Sequence, residues 1–390
     1  LRARHWKGFK GVPADIEGFS RSGVSRFEER SSLDWLPERI FESFAEWMAM
    51  TDKPFIVPIF IPHMGCPHRC VFCDQNAITG SACRGISPSQ AAEQVERFLS
   101  FKRSGRGLVE VAFYGGNFLG LEVDYRESLL AVAQSFVDAG RIDGIRFSTR
   151  PDTINDAAIG ALAPYHVTTI EVGVQSLDDQ VLAASRRGHT AEDVSRAVKV
   201  LRAWGGKIGL QVMPGLPGDS ALSIENTGHG IADMAPDFVR IYPTLVVRGT
   251  ILEHWYRSGR YQPLSLDGAV ALTKKLYLLF REKGIYVIRM GLHGGGDLLK
   301  PGNIVAGPFH PAFGHLVYSA LFLDLVVHRL EAAPDIPKRL QLWVNPVDIS
   351  RAIGERRRNI HFLKHRFGLE ALEVMPDPII SAGNLRWERA

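Results

Sequence analysis

With 390 residues, 45% of them hydrophobic, and a formal net charge of +4, the chain has length enough for one large domain and a smaller one. That charge is too small to assign a nucleic-acid partner by itself. Four cysteines, three of them within eight positions, exclude a secreted disulfide scaffold.

Residues 1–52 carry no motif and one amphipathic candidate helix, Leu36 to Met50, and are expected to form an extension. The N-terminus lacks the apolar core of a secretory signal, and the longest apolar run, Val317 to Val327, is broken by Asp324. A cytoplasmic protein with no membrane span is therefore expected. From Lys53 strands and helices alternate, which argues for a parallel sheet covered by helices.

The strand candidates are Phe55 to Ile61, Val109 to Tyr114, Ile145 to Ser148, Thr168 to Val174, Ile208 to Met213 and Phe238 to Tyr242. Helical patterns run from Pro88 to Arg103, Tyr125 to Ala139, Asp156 to Leu162, Ala191 to Trp204, Ser220 to Met234 and Leu266 to Lys283, with Ser87 and Asp219 as caps. Six such units wound right-handedly give an α/β fold, an incomplete (βα)6 TIM-like barrel over residues 53–290, whose site gathers at the carboxyl ends of the strands. Past Met290 a glycine-rich loop, a helix near His315 to Leu330 and a strand near Leu340 to Val344 predict a small C-terminal α/β module, residues 291–390.

The first strand runs into His63-Met-Gly-Cys66-Pro-His-Arg-Cys70-Val-Phe-Cys73. Thiolates are the usual ligands of iron-sulfur clusters, and a four-iron cluster normally takes four. Three leave one iron free to chelate the amino and carboxylate groups of S-adenosylmethionine (SAM), whose reductive cleavage yields a deoxyadenosyl radical. The alternative is a zinc site completed by His63 or His68, although no second cysteine pair exists. Cys83 is expected to be a free thiol.

The second strand ends in Tyr114-Gly115-Gly116-Asn117, where glycines allow close approach of backbone to a ligand and carbonyls can accept from the methionine amine. The third ends in Thr149-Arg150-Pro151-Asp152, with Pro151 holding Arg150 extended. Buried, Arg150 and Asp152 must pair with each other or meet a polar ligand. In Glu171-Val-Gly173-Val-Gln175 the alternate residues share one face. Glu171 and Gln175 are candidates for a ribose, with a Glu171–Arg150 ion pair as the structural alternative. Met213-Pro-Gly215-Leu-Pro-Gly218 shapes an open loop suited to framing adenine.

The cysteine run, with Phe72 before its last cysteine, resembles the signature of the radical SAM superfamily. The ordered set Phe-Tyr-Gly-Gly, Ser-Thr-Arg-Pro-Asp, Glu-Val-Gly-Val-Gln-Ser and Met-Pro-Gly-Leu-Pro-Gly is similar to one branch, the radical domain of the Elongator catalytic subunit and its bacterial relatives. The superfamily often has an acid or threonine where Asn117 stands.

The resemblance extends to Arg240-Ile-Tyr242, Arg248-Gly-Thr250, a closing strand Ile288-Arg289-Met-Gly-Leu-His293 and the segment around His310, so Tyr242, Arg248, Arg289 and His310 are the candidates to face substrate. It implies a 4Fe-4S cluster, SAM, a reductant such as flavodoxin or ferredoxin, and an RNA nucleoside as substrate. A small metabolite or peptide substrate, or a non-catalytic iron-sulfur or zinc protein, remains open. So does oligomeric state. The following acetyltransferase domain of the Elongator subunit has no counterpart expected before Ala390. The basic run Arg351 to Arg358 is expected as a solvated helix face.

Overall fold

The computed structural model describes residues 54–67, 69–75, 85–101, 107–292 and 298–390. The expected extension, His68, Cys83 and His293 lie outside the described residues. In chain order the elements are β1 (Phe55–Phe60), α1 (Pro88–Ser100), β2 (Val109–Tyr114), α2 (Val123–Asp138), β3 (Gly144–Thr149), α3 (Asp156–Gly160), β4 (Val167–Gln175), α4 (Asp179–Ala184), α5 (Ala191–Trp204), β5 (Lys207–Val212), α6 (Ala221–Asp233), β6 (Phe238–Ile241), β7 (Val246–Val247), α7 (Ile251–Arg257), α8 (Leu266–Glu282) and β8 (Tyr286–Met290). There follow β9 (Ile304–Ala306), α9 (Phe313–Glu331), β10 (Arg339–Val344), α10 (Ile349–Ile353), α11 (Arg358–Phe367), β11 (Ala371–Pro376) and β12 (Leu385–Arg389).

Seven parallel strands form the main sheet in the order β1-β2-β3-β4-β5-β6-β8, a curled half-barrel of six βα units with β8 as closing strand. Among the described residues its outer strands β1 and β8 pair on one side only. β-branched and aromatic residues make the strands: Val109, Val111 and Phe113 of β2 are wholly buried, as are Ile145 and Phe147 of β3. Helix starts follow local chemistry. Ser87 accepts from the Gln90 amide while Gln90 returns a bond to the Ser87 amide, and Thr190 with Asp193 does the same before α5. Each such cap contributes about 1 kcal/mol. Ser220, not the expected Asp219, caps α6; Asp219 turns back to accept from the Gly215 amide at 2.9 Å.

Beyond β8, β9 pairs with β7, and β10 is flanked by parallel β11 and antiparallel β12. The helix α9 starts against the end of β8, where a Cβ on Gly291 would lie 2.6 Å from Phe313. At 19 residues α9 has the length and apolarity of a membrane span, contrary to expectation, but half of that stretch is buried in the protein. Such burial is the mark of a core helix.

The run Arg351 to Arg358 is not one solvated helix face. Arg351, in α10, is buried on the wholly buried Asp348, while Arg356 and Arg357 form a left-handed turn (φ 50° and 62°) before α11. A non-glycine residue held there costs roughly 1–2 kcal/mol.

Candidate functional site

The cysteine loop leaves the carboxyl end of β1 and is fastened to the loop after β2. Gly65 has a φ of 70°, and a Cβ there would come within 2.2 Å of the Asn117 carbonyl oxygen; one on Gly116 would come within 2.3 Å of the Met64 carbonyl oxygen. Glycine at both positions is what lets the two loops touch. The Asn117 amide N–H donates to Met64 O at 2.8 Å and its side-chain Nδ2 to Gly65 O at 2.9 Å. Asn117 Oδ1 accepts from Thr149 Oγ1, the Arg150 amide and Thr153 Oγ1 at 2.7, 3.0 and 3.0 Å.

The Asn117 side chain is therefore spent on joining three loops and leaves nothing for the methionine amine. Stacked rings of Phe113, Phe118 and Phe147, with centroids 4.9 and 4.6 Å apart, underpin the junction. Each such pair contributes about 0.5–1.5 kcal/mol beyond its buried area. Gln75 completes it: its Oε1 accepts from the amides of His63 and, at 2.7 Å, of Gly116.

Cys66, Cys70 and Cys73 are free thiols. Burial, and the neighbouring cysteine sulfurs, push the Cys66 and Cys73 thiols above the ordinary range. Crowded thiols that resist ionisation in this way favour a cation among them, since a metal both deprotonates its thiol ligands and neutralises their repulsion. Of the two histidines offered to zinc, His63 Nε2 accepts from the Gln75 amide at 2.9 Å and His68 lies outside the described residues. A cubane takes each sulfur to a different iron. Phe72 packs on an apolar cluster of Val71, Val246, Leu252 and Tyr261.

Two buried guanidinium groups reach this loop. Arg187 Nη1 donates to Cys70 Sγ at 3.1 Å and Nη2 to the Gly173 carbonyl at 2.7 Å. Arg150 pairs with Asp152 through 2.9 and 3.0 Å bonds and donates to the Arg187 carbonyl at 2.5 Å. Arg150 Nη1 is buried with no hydrogen-bond partner among the described residues, as is His189 Nδ1. Burial, then the Arg187 and Arg150 charges, hold His189 neutral with its pKa pushed down to about 3. A cationic donor without a partner, within the field of the Cys66 thiol, is suited to receive an anionic group.

Glu171 does not meet Arg150. Its carboxylate takes Arg240 at 2.6 and 2.9 Å, Arg146 at 3.4 Å and the Tyr114 hydroxyl at 3.0 Å, while Arg146 also pairs with Glu110 at 2.8 Å. Burial, with Glu171 adding to it, pushes the Tyr114 hydroxyl up to about 12. The ribose role expected for Glu171 is thus closed by its own partners. Gln175, left-handed at φ 72°, accepts from Gln211 Nε2 at 3.1 Å and keeps its own amide donor.

In the loop after β5 the Met213 amide donates to the Gln175 carbonyl at 2.9 Å, and Gly215 is engaged on both sides, its amide on Asp219 and its carbonyl on Tyr261 at 2.6 Å. Among the substrate candidates, the Tyr242 hydroxyl accepts from Arg240 at 3.1 Å and Arg289 is in register with Arg240 across β6 and β8. Arg248 is exposed. His310 stands apart from that group, in a cleft of about 720 Å³ with His315 and Glu355, and makes a 3.3 Å contact with Glu355.

Sequence reasoning missed Gln75, Arg187, His189 and the Glu110–Arg146 pair. Charges set inside the apolar runs of β2 and β3 were the available signal for that pair.

Two family models match the chain, the Radical SAM superfamily over residues 60–229 and the Radical_SAM C-terminal domain over residues 236–322. A tRNA uridine(34) acetyltransferase of Dehalococcoides mccartyi is 30% identical over 255 residues, 56% of this chain and 56% of that protein. Elongator complex protein 3 of Saccharomyces cerevisiae is 31% identical over 212 residues, 49% of this chain and 38% of that protein. The chain thus spans about half or less of the length of these relatives. In fold it is similar to an archaeal Methanocaldococcus infernus Elp3 lacking its N-terminus, with a TM-score of 0.53 at 22% identity, covering 68% of this chain and 62% of that one. A 4Fe-4S cluster and SAM are the cofactors of the matched superfamily, and with the cysteine loop at the mouth of a half-barrel the chain belongs to the radical S-adenosylmethionine superfamily and is an enzyme.

Proposed function

We propose that this enzyme acts on a nucleoside within a transfer RNA in the cytoplasm, with Cys66, Cys70 and Cys73 each holding one iron of a 4Fe-4S cluster. When bound, the cluster and SAM supply a deoxyadenosyl radical that takes a hydrogen atom from the substrate. The observation that carries the cofactor part of this reading is the buried Arg150 Nη1, without a hydrogen-bond partner among the described residues and felt by the Cys66 thiol, beside Arg187 on Cys70.

Arg150 and Arg187 offset the negative charge of the sulfurs and receive the methionine carboxylate. The backbone carbonyls of Gly115 and Gly116 take the methionine amine, and Gln175 the ribose. Met213 and Gly215 hold the loop that frames adenine. Tyr242, with its hydroxyl fixed by Arg240, and Arg289 face substrate at the mouth, while Arg248 and His310 lie further out. Residues 53–290 form the radical core and 291–390 the module beside its mouth, which limits water access to the site. A flavodoxin or ferredoxin delivers the electron.

Anaerobic reconstitution, followed by iron determination, absorption spectroscopy and assay of deoxyadenosine release with dithionite, tests this. The native protein should bind about four irons and release deoxyadenosine, and Cys70→Ala should lose both the visible absorption and the product. Zinc in place of iron, or a cluster without SAM cleavage, would overturn it.

A further inference from the structure

Several exposed arginines hold acids, Arg141 on Glu96, Arg257 on Glu253 and Arg366 on Glu331, while Arg97, Arg339 and Arg389 are exposed without an ion pair among the described residues. Arg69, Arg186, Arg248, Arg289, Arg356 and Arg357 are likewise exposed. None of the six makes a side-chain hydrogen bond or ion pair with a described residue, although the Arg248 charge is felt by Glu253. Arg69 is in the cysteine loop itself. Arg186 follows Ser185, whose carbonyl accepts from the Val71 amide of that loop at 3.1 Å. Arg248 precedes Gly249, where a Cβ would lie 3.5 Å from Asp74. Arg289 is one residue from the carboxyl end of β8.

The turn of Arg356 and Arg357 belongs to the same end. Glu355 just before it contacts His310, and Arg358 just after it pairs with Asp267 in the first turn of α8 through 2.6 and 3.1 Å bonds. Because α8 runs down to the start of β8, its first turn stands level with the carboxyl ends of the strands. One turn further along α11 is Phe362, 44% exposed. Glu355 is the sole acid between Arg351 and Arg366.

We propose that these arginines, and foremost the Arg356–Arg357 turn, form the dock for the phosphate backbone of the RNA whose nucleoside enters the mouth; this rests on the RNA reading above. Exposed guanidinium groups on the cysteine loop, on the barrel loops and on the C-terminal module suit a long polyanion, and Phe362 beside the Arg356–Arg357 turn offers a face on which a base can stack. A compact acidic protein would call for charges gathered over the cysteine loop alone.

The test uses the full chain and a fluorescein-labelled tRNA transcript, with binding followed by anisotropy from about 50 to 300 mM KCl. Replacing both residues (Arg356→Gly with Arg357→Gly) relieves the left-handed backbone, so the melting temperature should not fall. Affinity at about 100 mM salt should nevertheless drop roughly tenfold and the log–log salt slope shrink by about 2. Arg356→Lys with Arg357→Lys, which keeps both charges, should retain most of the binding.

Native protein that binds the transcript with a double-glycine variant of equal affinity and slope overturns the dock while leaving the RNA reading standing. Native protein that shows no salt-dependent binding overturns both. A double-glycine variant that binds tRNA normally but accepts electrons more slowly from reduced flavodoxin overturns the dock in favour of an acidic protein partner.

Discussion

Inside the barrel, Arg146 and Arg240 meet Glu110 and Glu171, two cations to two anions, with the Tyr114 and Tyr242 hydroxyls filling in around them. At the mouth, Arg150 and Arg187 face one carboxylate, the partly exposed Asp152, and three thiols. The interior set balances cations against anions and the mouth set does not. A set of buried charges balanced among themselves is structural; one with cations in excess has room for an anionic ligand.

Breaking the interior set should therefore hurt stability most. Glu171→Ala leaves Arg146 and Arg240 short of counter-charge and should cost about 3–5 kcal/mol in denaturant unfolding, with Glu171→Gln costing less. Breaking the mouth set should hurt binding instead. Arg150→Met should weaken SAM binding to the reconstituted protein by about tenfold or more, measured by equilibrium dialysis, with a smaller loss of stability than Glu171→Ala. A variant as unstable as Glu171→Ala with normal SAM affinity would erase the distinction.

His189 sharpens the comparison through pH. Its folded pKa of about 3 lies below the ordinary value of 6.5, so between those values the unfolded chain binds the proton and the folded one does not. Stability should fall as pH drops below about 6.5, by about 2 kcal/mol at pH 5 from this group alone. His189→Gln should flatten that part of the profile. An unchanged slope would mean that His189 is not held neutral by its burial and the mouth arginines.

Much of this was legible in the chain. The strand Val109–Tyr114 and the helix Ala191–Trp204 have the expected ends, because an apolar run and a capping pair with a terminal glycine mark them locally. The cysteine loop was legible for the same reason. What the sequence hid was pairing across distance: Arg187 is 117 residues from the cysteine it touches, and Glu171 finds Arg240 rather than Arg150, nearer in the chain, because β6 stands next but one to β4 in the sheet. Arg351 and Arg356 look alike in a basic run, yet one is buried on Asp348 and the other is exposed. Only the fold separates them.

Among the described residues the strand that carries the cysteine loop is also a border of the sheet, bonded to β2 on one flank and to no strand on the other. Fraying begins at such a hem, so the loop hangs from the part of the barrel most ready to peel. An inorganic cluster seated there would act as a rivet for the margin, and the folding of this edge and the loading of its metal are in that sense a single event.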